Sequence, residues 1–230
     1  MTTGFLLLEG GAEFGGAMSE PDREAIRLAG GLGAQIAILP TAAAPDNNHD
    51  RAGRNALTWF RSLGATSVDI IPVIDRASAS DPALAERVRR ARLVYMLGGF
   101  PRYLAETLRG SLTWEAALQA FADGAVIGGS SAGAMILCEH YYDPGSSQVR
   151  PGLNVLGRAC VLPHHNDFGR AWSPRLLQAL PATTLIGIDE RTGIITDQRG
   201  NWTVYGSGQV TLYRRVASKP YRRGESFALG

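Results

Sequence analysis

One serine of the sequence follows an apolar run and is surrounded by very small residues. Ser131 is the middle residue of the segment Gly129–Gly133, GSSAG, which fits the G-x-S-x-G pattern of a nucleophile elbow. A serine at the tip of a sharp strand-to-helix turn projects from the backbone, and glycines on either side prevent collisions as the helix folds back over the strand. The pattern therefore predicts nucleophilic chemistry at Ser131. The alternative is a glycine-rich turn that only packs a helix or binds a phosphate.

A nucleophilic serine also needs hydrogen-bond donors for the oxyanion that develops on the substrate. The helix that follows the elbow is predicted to begin at about Ala132. Backbone N–H groups at a helix N-terminus have no partner within the helix and point toward negative charge. We therefore expect the N–H of Ala132 to be one of the oxyanion donors.

Serine is a poor nucleophile until a base removes its proton, and histidine is the expected base. The sequence contains four histidines. His49 lies in a polar stretch, and His140, after the elbow helix, is better explained as a cation at a helix C-terminus. His164 and His165 follow the apolar run Cys160–Leu162 at a predicted strand end, where sites form in open α/β sheets. The base is therefore expected to be one of these two.

An acidic residue should hold the far nitrogen of the imidazole. Glu190 follows the predicted strand Leu185–Ile188, with Asp189 as its neighbour, although a solvated turn carboxylate would look the same. Asp143 follows the elbow helix and is also compatible with a plain turn, because Pro144 comes next. With Glu190 the chain order is serine, histidine, acid, which differs from the order serine, acid, histidine of α/β-hydrolases.

The elements that would position these residues alternate between strand and helix through the first half of the chain. This alternation predicts a parallel sheet with helices on both faces. The expected strands are Phe5–Leu8, Gln35–Leu39, Val68–Val73, Leu93–Leu97 and Ala125–Ile127. The expected helices begin near Ser19, span about Asp50 to Leu63, start at Pro82 after a capping Asp81, and run from Ser111 to Phe121.

The second half of the chain has a different pattern, in which short apolar runs are separated by turn residues. We expect a helix at Ser173–Leu180 and added strands at the end of the sheet, some of them antiparallel. The expected added strands are Leu185–Ile188, Gly193–Thr196, Trp202–Tyr205 and Gln209–Tyr213. The tail after Ser218 is expected to be loosely held.

Several motifs in the same order resemble the cyanophycinase and dipeptidase E family of serine peptidases. GSSAGA at 129–134 is similar to the nucleophile motif of this family. The other similar segments are Gly10–Glu13, Leu39–Ala42, Leu97–Gly99, Gly152–Leu156 and Gly187–Glu190. The resemblance implies the fold of class I glutamine amidotransferases, a three-layer flavodoxin-like sheet that is mostly parallel. One α/β domain over residues 1–230 is expected, with helices on both faces and added C-terminal strands.

The resemblance also implies roles for individual residues. His164 follows a proline, like the Pro-His pair of the dipeptidase branch, so we favour it as the base, with His165 as the alternative. Glu190 matches the glutamate of a Gly-Ile-Asp-Glu segment in the cyanophycinase-like branch, so we favour it as the acid. The alternative acid, Asp143, lies where the dipeptidase branch places its aspartate. Gly99 lies in a segment similar to the loop that supplies the second oxyanion donor.

The sequence departs from the cyanophycinase branch where substrate is recognised. Phe100 begins a Phe-Pro pair where that branch has Asp-Gln, and in place of an arginine trio the sequence has only Arg170 and Arg175, which are off register with it. We therefore predict a serine hydrolase, a peptidase that cleaves short peptides through an acyl-enzyme on Ser131. Phe100 and Arg170 are expected to contact the substrate, and cyanophycin to be a poor one. The alternatives are an esterase or amidase with the same residues, or a non-catalytic binding module.

Composition limits the remaining possibilities. The chain has 230 residues, 45% of them hydrophobic, which favours one sizeable core. Its net charge of +2 creates no strong electrostatic field that would attract nucleic acid or anionic membranes. Two cysteines make no disulfide framework, the start lacks the basic region of a signal peptide, and no apolar run is long enough to span a bilayer. No metal-ligand spacing or phosphate-binding loop occurs. We expect a cytoplasmic protein without metal or cofactor, whose partner is a small peptide or acyl substrate; a homodimer is compatible with the sequence.

Overall fold

The computed structural model describes residues 4–197, 199–215 and 217–229, which form a mixed α/β fold. The strands are β1 (Phe5–Glu9), β2 (Gln35–Leu39), β3 (Ser67–Ile70), β4 (Leu93–Met96), β5 (Val126–Ser130), β6 (His140–Asp143), β7 (Gln148–Pro151), β8 (Ala159–Leu162), β9 (Thr184–Ile188), β10 (Thr192–Thr196), β11 (Asn201–Gly206), β12 (Gln209–Arg214), β13 (Ala217–Arg222) and β14 (Ser226–Ala228). The α-helices are α1 (Ser19–Leu28), α2 (His49–Ser62), α3 (Arg76–Ala79), α4 (Pro82–Arg89), α5 (Pro101–Leu108), α6 (Leu112–Ala122), α7 (Ala132–Leu137) and α8 (Ser173–Ala179). Short 3-10 turns lie at Gly16–Met18, Thr41–Ala43 and Gly169–Trp172.

Eight strands form the central sheet in the order β14-β11-β10-β1-β5-β4-β2-β3. The five strands from β1 to β3 in this order are parallel neighbours, whereas β10, β11 and β14 are antiparallel additions beyond β1. If β2, β3, β4 and β5 are numbered 1 to 4, their order in the sheet is 2-1-3-4, as in the first four positions of the flavodoxin order 2-1-3-4-5. In this chain β1 occupies the fifth position. The prediction of a mostly parallel α/β sheet is confirmed.

Helices cover both faces of this sheet because side chains along each strand alternate in direction. In β1, Leu7 packs in one core cluster with residues of α1 and α2, whereas Leu6 and Leu8 pack in another with residues of α4 to α7. The four helices expected in the first half correspond to α1, α2, α4 and α6. The short helix α3, which begins with a capping box at Asp75, was not predicted. Among the described residues, no helix combines the length and the hydrophobicity needed to span a bilayer.

A second sheet carries part of the site. Its four strands have the order β13-β12-β9-β8, with β8 and β9 parallel and β12 antiparallel to both of its neighbours. The prediction that Leu185–Ile188 and Gln209–Tyr213 extend the main sheet is therefore wrong; only β10 and β11 of the predicted strands do so. Because β8 and β9 are parallel neighbours, the loops after them lie side by side at one edge.

The tail of the chain is ordered into strands, so the prediction of a loosely held segment after Ser218 is wrong. β13 pairs with β12 along its whole length, and β14 pairs with the outer edge of β11. Phe227 of β14 is buried and its ring packs against that of Tyr221 in β13. Tyr221 and Leu229 are partly buried against the same core cluster as Phe227, so apolar contacts as well as strand pairing hold the tail.

Candidate active site

The predicted nucleophile lies on a strained elbow. β5 ends directly before Ser131, and α7 begins directly after it. The backbone of Ser131 has φ 49° and ψ −110°, a conformation that a non-glycine residue adopts only where the surrounding structure enforces it. Its N–H donates a hydrogen bond of 3.0 Å to the carbonyl of Glu9 at the end of β1. The neighbouring strand thus holds the elbow in place.

The two glycines of the motif allow strand and helix to approach each other closely. A methyl group on Gly129 would lie 2.4 Å from the carbonyl carbon of Gly133. A methyl group on Gly133 would lie 2.3 Å from the carbonyl oxygen of Met96 at the end of β4. Both obstacles are backbone atoms, so any side chain at these positions would displace the elbow. This is the physical reason for the small residues around Ser131.

The imidazole of His164 lies between Ser131 and Glu190. Its Nε2 is 3.1 Å from Oγ of Ser131, and its Nδ1 is 2.7 Å from Oε1 of Glu190. With the proton on Nδ1, the ring donates to the carboxylate and leaves Nε2 free to accept the serine proton. The structure therefore brings together the three residues that sequence reasoning favoured, in an arrangement able to activate a hydroxyl.

The His164 ring is fixed from several sides. The backbone of His164 has φ 47°. The backbone N–H of His164 donates to the carbonyl of Gly10 over 2.7 Å, and this hydrogen bond joins the loop after β8 to the loop after β1. Phe168 stacks on the ring with centroids 4.8 Å apart. Gly11 lies against the imidazole so closely that a methyl group on it would be 2.3 Å from Cε1. This contact of Gly11, invisible in the sequence, makes the residue part of the site.

Replacing Gly11 by alanine should lower kcat/KM on the order of 100-fold, because the new methyl group would push the imidazole away from Ser131. The φ of Gly11, +112°, adds strain for any larger residue. The matched control is Gly15→Ala in the same loop, where an added methyl group meets nothing within 4 Å and the backbone is extended. Steady-state kinetics and circular dichroism check the result. A folded Gly11→Ala variant with the kinetics of Gly15→Ala would contradict this role.

Glu190 is tied to the loop that carries the base. Its backbone N–H donates to Oδ1 of Asn166 over 2.8 Å, and Asn166 lies two residues after His164. The side chains of His164 and Glu190 are 20% and 35% exposed, so a substrate can reach them. Sequence reasoning did not identify Asn166, because only the parallel pairing of β8 with β9 brings these two loops together.

The alternative base is held elsewhere. His165 is buried; its Nδ1 is 3.2 Å from Oδ1 of Asp189, and its Nε2 is 2.8 Å from the hydroxyl of Tyr213. Its ring packs on β9, where a methyl group on Gly187 would lie 2.3 Å from Cδ2. His165 thus links Asp189, which follows β9, to Tyr213 in β12. His164, rather than His165, contacts the nucleophile.

The alternative acid is also engaged away from His164. Asp143 ends β6, and its Oδ2 accepts from Nε of Arg150 over 3.1 Å and from Oγ of Ser146 over 2.6 Å. Its Oδ1 accepts from the N–H of Gly145, as in a side-chain-stabilised turn. The carboxylate therefore stabilises the β6–β7 hairpin.

The expected oxyanion donors lie next to the serine. Ala132 is the first residue of α7, so its N–H has no partner within the helix. Gly98 contacts the nucleophile, since a methyl group on it would lie 3.4 Å from Cβ of Ser131. Gly99 has φ +139°, and a methyl group on it would lie 2.2 Å from the carbonyl oxygen of Ala42. Only glycine fits this loop; the donor roles of Ala132 and Gly99 stay predictions.

Glu13 fills the space between the elbow and the glycine loop, Gly98–Gly99 after β4, a position that sequence reasoning missed. Its Oε2 accepts from Oγ of Ser130 over 3.0 Å. Its Oε1 would be 3.3 Å from a methyl group on Gly98. The only signal in the sequence was the segment Gly10–Glu13, small residues followed by a carboxylate directly after a strand.

Two carboxyl groups are buried beneath the elbow. Glu9 ends β1 and accepts a hydrogen bond from the hydroxyl of Tyr95, while Asp22 of α1 accepts from Nε1 of Trp59 over 2.7 Å. Burial raises the pKa of Glu9 well above its ordinary value, and the charge of Asp22 raises it further. Burial also raises the pKa of Asp22, to about 7. The pair therefore retains a proton at neutral pH, because two adjacent buried carboxylates would repel each other.

Asp22 should make the folded state less stable as pH rises from about 4 to 7. In the unfolded chain Asp22 loses its proton near pH 4, whereas in the folded protein it keeps the proton up to about 7. The folded state thus binds more protons across this range, and stability is lost as pH rises through it. Asp22→Asn should flatten the dependence, while Asp50→Asn, whose side chain is 77% exposed, should not. Urea unfolding between pH 5 and 8 checks this; equal slopes in all three proteins would refute it.

The arrangement of these residues suits covalent catalysis by a side chain. In the described part of the chain, no group of three or more His, Cys, Asp or Glu residues is placed to hold a metal ion. A hydroxyl, an imidazole and a carboxylate in hydrogen-bond contact, next to a helix N-terminus, are the parts needed for acyl transfer.

Comparison with known proteins identifies the family. Residues 6–201 match the model of peptidase family S51. The chain belongs to peptidase family S51. The matched region contains Ser131, His164 and Glu190, and the family confirms the resemblance that the sequence motifs indicated.

Several known proteins are similar to this S51 chain. A cyanophycinase from Synechococcus elongatus is 32% identical over 197 residues, 80% of this chain and 60% of the cyanophycinase. One from Geminocystis herdmanii (strain PCC 6308) is 31% identical over 197 residues, with 80% and 71% covered. The chain thus spans only about 60% of the length of the first of these relatives.

Two solved structures share the fold of this S51 chain. A peptidase from an acI-B1 Actinobacterium has a TM-score of 0.89 and 28% identity, and the match covers 99% of this chain and 98% of that one. A putative peptidase E protein from Listeria monocytogenes EGD-e has a TM-score of 0.61 and 18% identity, with 92% and 98% covered. The second likeness concerns the fold alone.

Proposed function

We propose that this S51 chain is a serine peptidase that cleaves short peptides through an acyl-enzyme on Ser131. The observation that carries the proposal is the continuous hydrogen-bonded line from Oγ of Ser131 through both nitrogens of His164 to Glu190. Each contact lies within the distance needed for proton transfer or for orientation of the ring.

In the first half of the reaction, Oγ of Ser131 attacks the peptide carbonyl carbon while Nε2 of His164 takes the hydroxyl proton. Glu190 holds Nδ1–H and stabilises the imidazolium that forms. The carbonyl oxygen becomes an oxyanion, for which the backbone N–H groups of Ala132 and Gly99 are the proposed donors. Collapse of the tetrahedral species breaks the C–N bond, and the proton on Nε2 passes to the leaving amine.

The second half reverses the roles with water. Nε2 of His164 takes a proton from a water molecule, whose oxygen attacks the acyl carbon on Ser131. The tetrahedral species collapses, the C–O bond to serine breaks, and Oγ regains its proton from the imidazolium. The products are a carboxylic acid and the free enzyme.

Two further residues are proposed to contact the substrate. Phe100 is 47% exposed at the start of α5, directly after Gly99, and is available to a bound peptide. Arg170 is exposed on the 3-10 turn at Gly169–Trp172, two residues after the ring that stacks on His164. Cyanophycin should be a poor substrate, because Phe100 offers no hydrogen bond to a carboxylate or a guanidinium.

Kinetics on matched substrates test this function. We expect measurable kcat/KM on short peptides, with lower values on cyanophycin, in a comparison that includes 4-nitrophenyl esters of the same acyl groups. Hydrolysis of the esters without hydrolysis of any peptide would replace the peptidase proposal by an esterase. If folded protein hydrolyses neither peptides nor esters, both the peptidase and the esterase proposals are wrong.

A cytoplasmic location is part of the proposal. Cys138 and Cys160 are buried free thiols, and burial raises the pKa of Cys160 to about 12. Unreactive free thiols are typical of proteins in reducing compartments. Fractionation of cells expressing the native chain should recover it with cytoplasmic markers, and recovery outside the cytoplasm would overturn this point.

A further inference from the structure

A cavity of about 590 Å³ opens beside the glycine loop of the site. Gly99 forms part of its wall, so the cavity begins at one of the proposed oxyanion donors. Aromatic and proline side chains contribute much of the remaining wall. These residues are Phe100 and Tyr103 at the start of α5, Pro45 before α2, and Pro144 in the turn between β6 and β7.

The charged groups that line this cavity already have ion-pair partners. Arg102 donates from Nε to Glu106 over 2.8 Å, one turn further along α5. Asp143 is held by Arg150 over 3.1 Å. The hydroxyl of Tyr103 donates to the carbonyl of Ile74 over 2.9 Å. A ligand in the cavity would therefore meet rings and methylene groups rather than a charge in need of a partner.

A second cavity on the same loop has the opposite character. It has a volume of about 410 Å³ and shares Gly98 and Gly99 with the site. Its walls include the charged residues Glu13, Asp46 and Arg51. An apolar group placed there would desolvate these charges, which is unfavourable. Of the two cavities that Gly99 lines, the one at Phe100 is thus the better place for an apolar side chain.

We propose that the cavity at Phe100 is a specificity pocket, which binds an aromatic or large aliphatic side chain next to the scissile bond of the peptide. This inference rests on the proposed peptidase function and adds its substrate class. A ring that stacks on Phe100 leaves water, and this burial favours it over alanine. An aspartate side chain would lose its hydration without gaining a partner, so it is disfavoured.

The test uses short peptides that differ at a single position next to the scissile bond, occupied by Phe, Ala or Asp, on either side of the bond in turn. At one of the two positions, kcat/KM for Phe should exceed that for Ala on the order of 10- to 100-fold, with Asp below Ala. Phe100→Ala should reduce the Phe-to-Ala ratio at least about fivefold. Leu32→Ala, which removes a side chain that is 53% exposed and outside this cavity, should leave the ratio unchanged.

A second variant fills the pocket instead of enlarging it. A Cβ at Gly145 would meet only Oδ1 of Asp143, at 3.5 Å, so the backbone tolerates a side chain there. Gly145→Leu should lower kcat/KM for Phe peptides and change that for Ala peptides little. Labelling of Ser131 by a small fluorophosphonate reports on the nucleophile independently. Normal labelling with no preference for Phe, or with a preference that both variants retain, overturns the pocket and leaves the peptidase standing; loss of labelling and of all hydrolysis overturns the peptidase.

Discussion

Ser131→Ala should abolish turnover while the protein folds normally. Removing the nucleophile of such a triad lowers kcat on the order of 10⁶-fold. The Oγ atom contacts His164 over 3.1 Å, whereas the backbone of Ser131 is held by its own hydrogen bond to the Glu9 carbonyl. Alanine keeps that backbone bond, so the elbow should survive the substitution. Steady-state kinetics on a peptide and an ester measure the loss of turnover, and thermal unfolding measures whether the variant folds normally.

The control for this variant is Ser62→Ala, which removes a hydroxyl bonded only to its own helix. Ser62→Ala should keep the activity of the parent protein. If Ser131→Ala retained turnover within tenfold of Ser62→Ala, the nucleophile would have to be sought elsewhere.

His164→Ala should cost nearly as much as the loss of the nucleophile, on the order of 10⁶-fold in kcat, because members of a triad act as a unit. His165→Ala should act differently. It leaves Asp189 and Tyr213 without their shared partner in a buried place, which costs about 1–3 kcal/mol of stability. The folded fraction of that variant should still turn over substrate.

Pairing kinetics with urea unfolding separates these two histidines. The expected pattern is an inactive but stable His164→Ala protein and an active but less stable His165→Ala protein. The reverse pattern would mean that the base is His165 and that the hydrogen bonds of His164 have no catalytic role.

The elbow could be predicted because it depends on local sequence. An apolar strand followed by GSSAG leaves little choice for the backbone at Ser131, and the structure places the residue at φ 49° as that motif requires. The choice between His164 and His165 could not be made from local pattern. It depends on which backbone partner each residue has, Gly10 for His164 and Ile188 for His165, and these partners are distant in sequence.

The second sheet was not predicted because the segment that connects the two sheets has the sequence of a hairpin turn. Residues 206–208, Gly-Ser-Gly, lie between two apolar runs, and such a turn usually makes the flanking strands neighbours. In the structure the chain leaves β11 of the main sheet there and enters β12 of the other sheet. Gly206 has φ +95°, and a methyl group on it would lie 2.3 Å from the carbonyl oxygen of Arg191. The close approach of a distant segment, rather than a hairpin, explains this glycine.

Contacts between loops were equally inaccessible to sequence reasoning. Glu13, Gly11 and Asn166 lie in loops after β1 and β8, and each touches the elbow, the imidazole or the Glu190 backbone only because the strands pair as they do. Residue type alone gives no signal for such contacts. Glu9 is a further example, since a carboxylate after an apolar run predicts a solvated strand end rather than a buried proton-sharing group.

Covalent labelling tests the central claim most directly. The wild-type protein is treated with a fluorophosphonate, digested, and the modified peptide is sequenced by mass spectrometry. We expect one phosphonyl group per chain, located on Ser131, formed in parallel with the loss of peptidase activity and much more slowly in His164→Ala, which lacks the base at 3.1 Å. Protein that cleaves peptides yet carries the label on another residue, or that remains unlabelled in excess fluorophosphonate, would contradict the assignment of Ser131 as the nucleophile.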